Sequence, residues 1–112
     1  MDHVAAVRAY YSALDEHDYS ALSDLLAPTF VHDRPDRTLD GREAFVSFMR
    51  DDRPNKRTSH ELDELYENDD GSELVVRGRL LDADGERLFH FVDVHRFEDG
   101  VVVELRTFAR RE

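Results

Sequence analysis

The sequence predicts an α+β domain, with helices packed on one face of a curved, mainly antiparallel sheet. Two observations carry that expectation. Apolar residues recur at helical spacing through the first half of the chain and alternate through the second. The alternating runs are separated by strong turn signals: Asn68-Asp69-Asp70-Gly71, Asp82-Ala83-Asp84-Gly85 and Glu98-Asp99-Gly100.

Residues 2–16 read as an amphipathic helix, with Val4, Val7, Tyr11 and Leu14 along one stripe and Ala residues between them. His17-Asp18 breaks the pattern, and Asp18 is placed to cap a second short helix from Tyr19 to Leu26. Pro28 stops it, and Thr29 to Asp33 reads as a short strand. Arg34 to Asp40 is expected as a polar loop. Gly41 opens a third helix, Arg42 to Arg50, whose apolar face is Ala44, Phe45, Phe48 and Met49. A charged loop with Pro54 covers Asp51 to Thr58. Four strands follow, over 59–67, 73–81, 87–97 and 101–109, as an antiparallel meander.

A length of 112 residues fits one domain, 1–112, with room for a modest core. Cys is absent, which excludes disulfides and thiolate chemistry. No apolar run approaches the roughly 20 residues of a membrane span. Met1-Asp2-His3-Val4 lacks the basic and apolar regions of a signal peptide, so a cytoplasmic protein with no membrane partner is expected. The net charge of −11 argues against a nucleic-acid partner, which needs a basic face. Fourteen of the 15 basic residues are Arg, and Lys56 is the single Lys. Abundant Asp with scarce Lys suits a halophilic protein, whose carboxylates keep the surface hydrated in salt. A GC-rich genome that favours Arg codons gives the same bias.

Several segments together resemble the nuclear transport factor 2 (NTF2)-like superfamily, which includes SnoaL-like proteins and ketosteroid isomerases. They are Tyr10-Tyr11-Ser12-Ala13-Leu14, the Asp18 to Leu26 helix, the Phe30 to Asp33 strand, Gly41-Arg42-Glu43-Ala44-Phe45-Val46-Ser47-Phe48, and the final hairpin from Asp93 to Val102. The resemblance implies a cone: three helices enclosed by a strongly curved sheet, with a pocket between them. It also implies a site. By likeness to ketosteroid isomerases, Asp33 would move a proton, and Tyr10 and Asp93 would form an oxyanion hole. That family is a worked case of a carboxylic acid kept protonated by an apolar site. The chain departs from it in His32, beside Asp33, and in His95, two residues beyond Asp93.

Alternation along 87–97 places Phe89, Phe91, Asp93, His95 and Phe97 on one face, which reads as a lined cavity with convergent polar groups. His32, Phe45, Phe48 and Met49 are expected to bind substrate, together with Phe91, His95, Phe97 and Leu105. The opposite face, with Val92 and Val94, suits a homodimer through the sheet. Each catalytic candidate has a structural alternative. Asp93 could pair with Arg77, Arg79 or Arg106; Asp33 could start a turn before Arg34-Pro35; Tyr10 could be a core tyrosine. No His-x-x-x-His or Glu-x-x-His spacing suggests a metal, and no Gly-rich loop suggests a phosphate cofactor. The expectation is a small-molecule pocket protein. One form is a cofactor-independent isomerase, cyclase or dehydratase acting on an enolisable carbonyl. The other is a ligand-binding or dimeric interaction module.

Overall fold

A computed structural model describes residues 2–111. Helix α1 (His3–Asp15) is capped by Asp2, whose carboxylate accepts from the Ala5 N–H at 2.7 Å. Its stripe of Val7, Tyr11 and Leu14 is buried, together with Ala6 and Tyr10. Asp18 caps α2 (Tyr19–Asp24) by accepting from the Ala21 N–H at 3.2 Å, as the sequence suggests.

Strand β1 (Leu26–Asp33) begins earlier than expected. Pro28 lies within it rather than at a helix end, in an irregular stretch between Leu26 and Val31 where the register to the neighbouring strand shifts. A residue without an N–H is tolerated at such a bulge. The segment expected as an unbroken loop contains β2 (Thr38–Asp40), which pairs antiparallel with Val31 to Asp33. Three residues are too few for alternation to show in a sequence.

The third helix also differs. Helix α3 (Arg42–Ser47) runs into a π-helical turn, Phe48–Asp52, closed by the Arg53 N–H donating to the Phe48 carbonyl at 2.8 Å. Pro54 disfavours helical angles at the residue before it, and Arg53 is extended (φ −65°, ψ 125°).

Strands β3 (Ser59–Glu67), β4 (Glu73–Leu81), β5 (Arg87–Glu98) and β6 (Val101–Arg110) form the expected meander. The full sheet order is β2-β1-β6-β5-β4-β3, and β1 runs parallel to β6, which makes the sheet mixed. The helices pack on its concave face. The core there includes Val7, Leu14, Leu22, Phe30, Phe45, Leu74 and Leu105. This is the α+β cone of the NTF2-like fold.

Candidate functional site

Strand β5 lies between β4 and β6, so both its edges are hydrogen-bonded. Its alternation turns Phe91, Asp93, His95 and Phe97 to the concave side, where all four are buried. Asp93 is only 5% exposed. A carboxyl in that position needs partners, and it has two. The Tyr11 hydroxyl donates to Oδ2 at 2.6 Å, and the Thr107 hydroxyl donates to Oδ1 at 2.6 Å.

The arginines proposed as alternative partners face the other way. Arg79 pairs with Glu61 and with Asp63, at 3.0 Å from the latter; Arg106 lies 3.5 Å from Glu104. Arg77 approaches Asp63 at 4.0 Å.

Each hydroxyl on Asp93 is backed by an imidazole. His95 Nε2 lies 2.9 Å from the Tyr11 oxygen, and His32 Nε2 lies 2.8 Å from the Thr107 oxygen. A hydroxyl has one proton, and here it goes to the carboxylate. Both imidazoles must then donate from Nε2–H, which leaves each Nδ1 as a bare acceptor. Among the described residues, both Nδ1 atoms are indeed buried without a partner. The result is a chain of five side chains, His95–Tyr11–Asp93–Thr107–His32, with the carboxylate as the acceptor from both arms.

Burial sets the charge state of this network. It pushes the Asp93 carboxyl above its ordinary range, against the pull of the Thr107 and Tyr11 hydrogen bonds and the charges of His60 and Arg34. Burial lowers His95 to about 3. It lowers His32 to about 3 as well, with nearby Arg34 acting in the same direction. Both imidazoles are therefore neutral near pH 7. The Tyr10 and Tyr11 hydroxyls are raised well above their usual value, first by burial and then by the Asp93 charge.

Above the network lies a cavity of about 510 Å³. Tyr10, His32, Asp93 and Thr107 line its buried end, and Met49, Phe89 and Phe91 are among its apolar walls. Arg34, Arg53 and Arg111 also line it. Nearby His60 is held by Asp15, at 2.6 Å between Nδ1 and Oδ1 and 2.9 Å from the backbone N–H to Oδ2. Among the described residues, no three His, Asp or Glu side chains are grouped as metal ligands would be.

Of the residues expected at the site, Tyr10, His32, Met49, Phe91 and Asp93 line the cavity. Phe45, His95, Phe97 and Leu105 do not; they are buried in the core behind it. Phe97 stacks on His3 at 3.9 Å. Phe48 is buried beneath the guanidinium groups of Arg34 and Arg37, 5.1 and 4.8 Å from its ring centre. Asp33 is exposed on the opposite face of β1, where it accepts from the Thr38 hydroxyl at 3.4 Å. Adjacent residues of a strand point to opposite faces, and His32 takes the inward one. The structure therefore does not bring Asp33 to Asp93.

Sequence reasoning missed Tyr11, Thr107, Arg34, Arg53 and His60. Tyr11 had a usable signal. It sits on the buried stripe of α1, so its hydroxyl must reach a partner inside.

The sequence profile of the SnoaL-like domain matches residues 7–105. No curated protein matches the chain. Among solved structures, a candidate ketosteroid isomerase from Kribbella flavida is 22% identical, with a TM-score of 0.83 over 96% of this chain and 77% of its own. A candidate polyketide cyclase from Sinorhizobium meliloti is 20% identical, with a TM-score of 0.79 over 93% of this chain and 94% of its own. An NTF2-like protein of unknown function from Burkholderia pseudomallei is 26% identical, with a TM-score of 0.80 over 96% and 89%.

Proposed function

The chain belongs to the SnoaL-like domain family, and on that footing we propose that it is an acid–base enzyme acting without a cofactor on a small enolisable carbonyl compound. One observation carries the reading. Asp93 is a buried carboxyl that opens onto a cavity and is held by two hydroxyls rather than by a cation. An arginine partner would hold it ionised and weakly basic. Hydroxyl donors keep it in place while burial raises its affinity for a proton, which narrows the gap to a carbon acid.

In this mechanism Asp93 takes a proton from the carbon beside the substrate carbonyl. The C–H electron pair moves to form the enolate, and the charge collects on the carbonyl oxygen. Tyr10 is the donor that meets that oxygen. Return of the proton at another carbon gives isomerisation; attack of the enolate carbon on a second carbonyl closes a ring, and Asp93 returns its proton to the alkoxide that forms. Thr107 and Tyr11 position the carboxyl, and His32 and His95 fix the direction in which those hydroxyls donate. Asp33, the base implied by likeness to ketosteroid isomerases, has no part in it.

The test is solvent deuterium incorporation into a panel of small ketones, keto acids and β-keto esters, followed by NMR. Wild type should catalyse exchange, and Asp93→Asn should slow it by about 10²–10⁴-fold. No exchange with any compound, or equal rates in the variant, would refute the reading. A second reading, a binding module without turnover, is favoured by the internal hydrogen bonds that both Asp93 oxygens already accept. It predicts ligand binding with no exchange.

The same proposal extends to a homodimer through the convex face. Val92, Val94 and Phe108 lie there, and Phe108 is 58% exposed. Sedimentation at varied concentration checks this, and Phe108→Asp should shift the protein to monomer.

A further inference from the structure

Convex-face arginines of this acidic chain are matched to carboxylates: Arg77 and Arg79 to Asp63, Arg96 to Glu98, and Arg106 to Glu104. Arg53 is different. It lines the cavity, and its Nε and Nη2 are buried with no hydrogen-bond partner among the described residues. An unpaired buried donor on a charged group is costly, so such a group calls for an explanation.

The two orphaned atoms are not a random pair. Nε and Nη2 form one edge of the guanidinium, with their N–H bonds parallel and spaced for the two oxygens of a carboxylate. The backbone fixes where the side chain starts. The π-helical turn anchors the Arg53 N–H on the Phe48 carbonyl, and Pro54 holds Arg53 extended. Irregular turns of this kind recur at functional sites.

The surrounding charge agrees. Arg34 and Arg111 line the same cavity. Its carboxylates are Asp93, occupied by two hydroxyls, and Asp36, bound by Arg34 at 3.0 Å and Arg37 at 3.2 Å. Neither is engaged by Arg53. At the buried end, His32 is a second cavity-lining residue with a buried atom, Nδ1, that has no partner.

We propose that the cavity is built for a small organic acid. Its carboxylate takes the Nε–Nη2 edge of Arg53, which is covered in the ligand-free molecule and turns into the cavity on binding, and its remaining body extends along Met49 and Phe91 toward Asp93. This rests on the reading of the cavity as the ligand site and adds the class of ligand: a carbonyl compound that also carries a carboxylate.

The experiment compares cyclohexanecarboxylate with cyclohexanecarboxamide, matched in shape and different in charge. Binding is followed by the side-chain ¹⁵Nε–H signal of Arg53, assigned from the spectrum of Arg53→Lys. The carboxylate should bind at least about tenfold more tightly and move that signal. The preference should vanish in Arg53→Gln and persist in Arg37→Gln, since Arg37 lies outside the cavity lining. Equal binding of the two probes, a preference that survives Arg53→Gln, or no carboxylate binding would overturn the proposal. Should Arg53→Gln fold poorly, the wild-type Arg53 signal decides alone: no movement on saturation with carboxylate overturns it.

The deuterium-exchange experiment separates this from the catalytic reading. Exchange without a carboxylate preference removes the anion subsite and leaves the enzyme. A carboxylate preference without exchange removes the enzyme and leaves the subsite.

Discussion

The two faces of the sheet treat carboxylates in opposite ways. On the convex face, Asp63, Glu98 and Glu104 lie against arginines in contact with water. On the concave face, Asp93 has no such partner and is held by Tyr11 and Thr107. The convex pairs are screened and replaceable, so each contributes little. The concave group is desolvated, so its partners decide both whether it is tolerated and how readily it holds a proton. The sheet thus separates charges paired at the surface from a carboxyl held by hydroxyls beside the cavity.

Acidification should break this contrast most severely. The folded chain holds His32 and His95 neutral down to about pH 3, whereas the unfolded chain protonates them near 6.5. The unfolded state then binds more protons, so stability present above pH 6.5 is lost as pH falls, at about 1.4 kcal/mol per pH unit for each imidazole. Asp93 acts in the opposite sense. Its raised folded value stabilises at low pH, and that contribution fades as pH rises through it. Two imidazoles outweigh one carboxyl. Urea unfolding at pH 7, 6 and 5 should show a steady decline, shallower in His95→Gln; a flat profile would show that the buried imidazoles do charge.

Tyr11→Phe leaves one Asp93 oxygen without its donor. We expect a loss of about 1–3 kcal/mol and an Asp93 carboxyl that titrates still higher, readable by carbon NMR of the carboxyl. An unchanged titration would mean that Tyr11 is only packing.

Gly78→Ala probes the concave face sterically. A Cβ there would sit 2.8 Å from the Phe91 ring and 2.6 Å from the Glu61 carbonyl. Overpacking of this kind costs about 1–3 kcal/mol, and a thermal melt no lower than wild type would argue that the sheet relaxes freely at that point.

The smallest effect belongs to the convex face. Arg79→Gln should cost about 1 kcal/mol or less, shrinking further in 1 M salt. A loss as large as that of Tyr11→Phe would erase the distinction between the faces.

Much of the fold was legible in the chain. The stripe of α1, the Asp18 cap and the three turn signals each describe local chemistry, and each element formed where that chemistry placed it. Alternation along β5 also put Asp93 and Phe91 on the pocket side. What failed was register, which is not local. Counting back without a bulge from the Glu98–Val101 pair sets Arg106 opposite Asp93. The observed partner is Thr107, because the pairing shifts between Arg96 and Phe97. That slip exchanges an ion pair for a hydroxyl. Asp33 shows the complementary error: the period-two rule that served β5 would have ruled out inward places for both His32 and Asp33. Arg53 could not be found by pattern at all, since its place depends on a π-helical turn and a following proline.

The shift in β6 has a further consequence for how such a protein can drift in length. Val103 stands between Val102, opposite Phe97, and Glu104, opposite Arg96, and has no partner on β5. It divides the strand into two stretches of opposite parity, so that Val102 and Leu105 are both buried. Deleting a residue inside a strand ordinarily turns every later side chain to the wrong side. Losing Val103 would instead leave Leu105 facing His95 and Thr107 facing Asp93. A lineage carrying this bulge can shorten its final strand there and keep the floor of its pocket, a freedom that positions of β6 beyond Leu105 do not share.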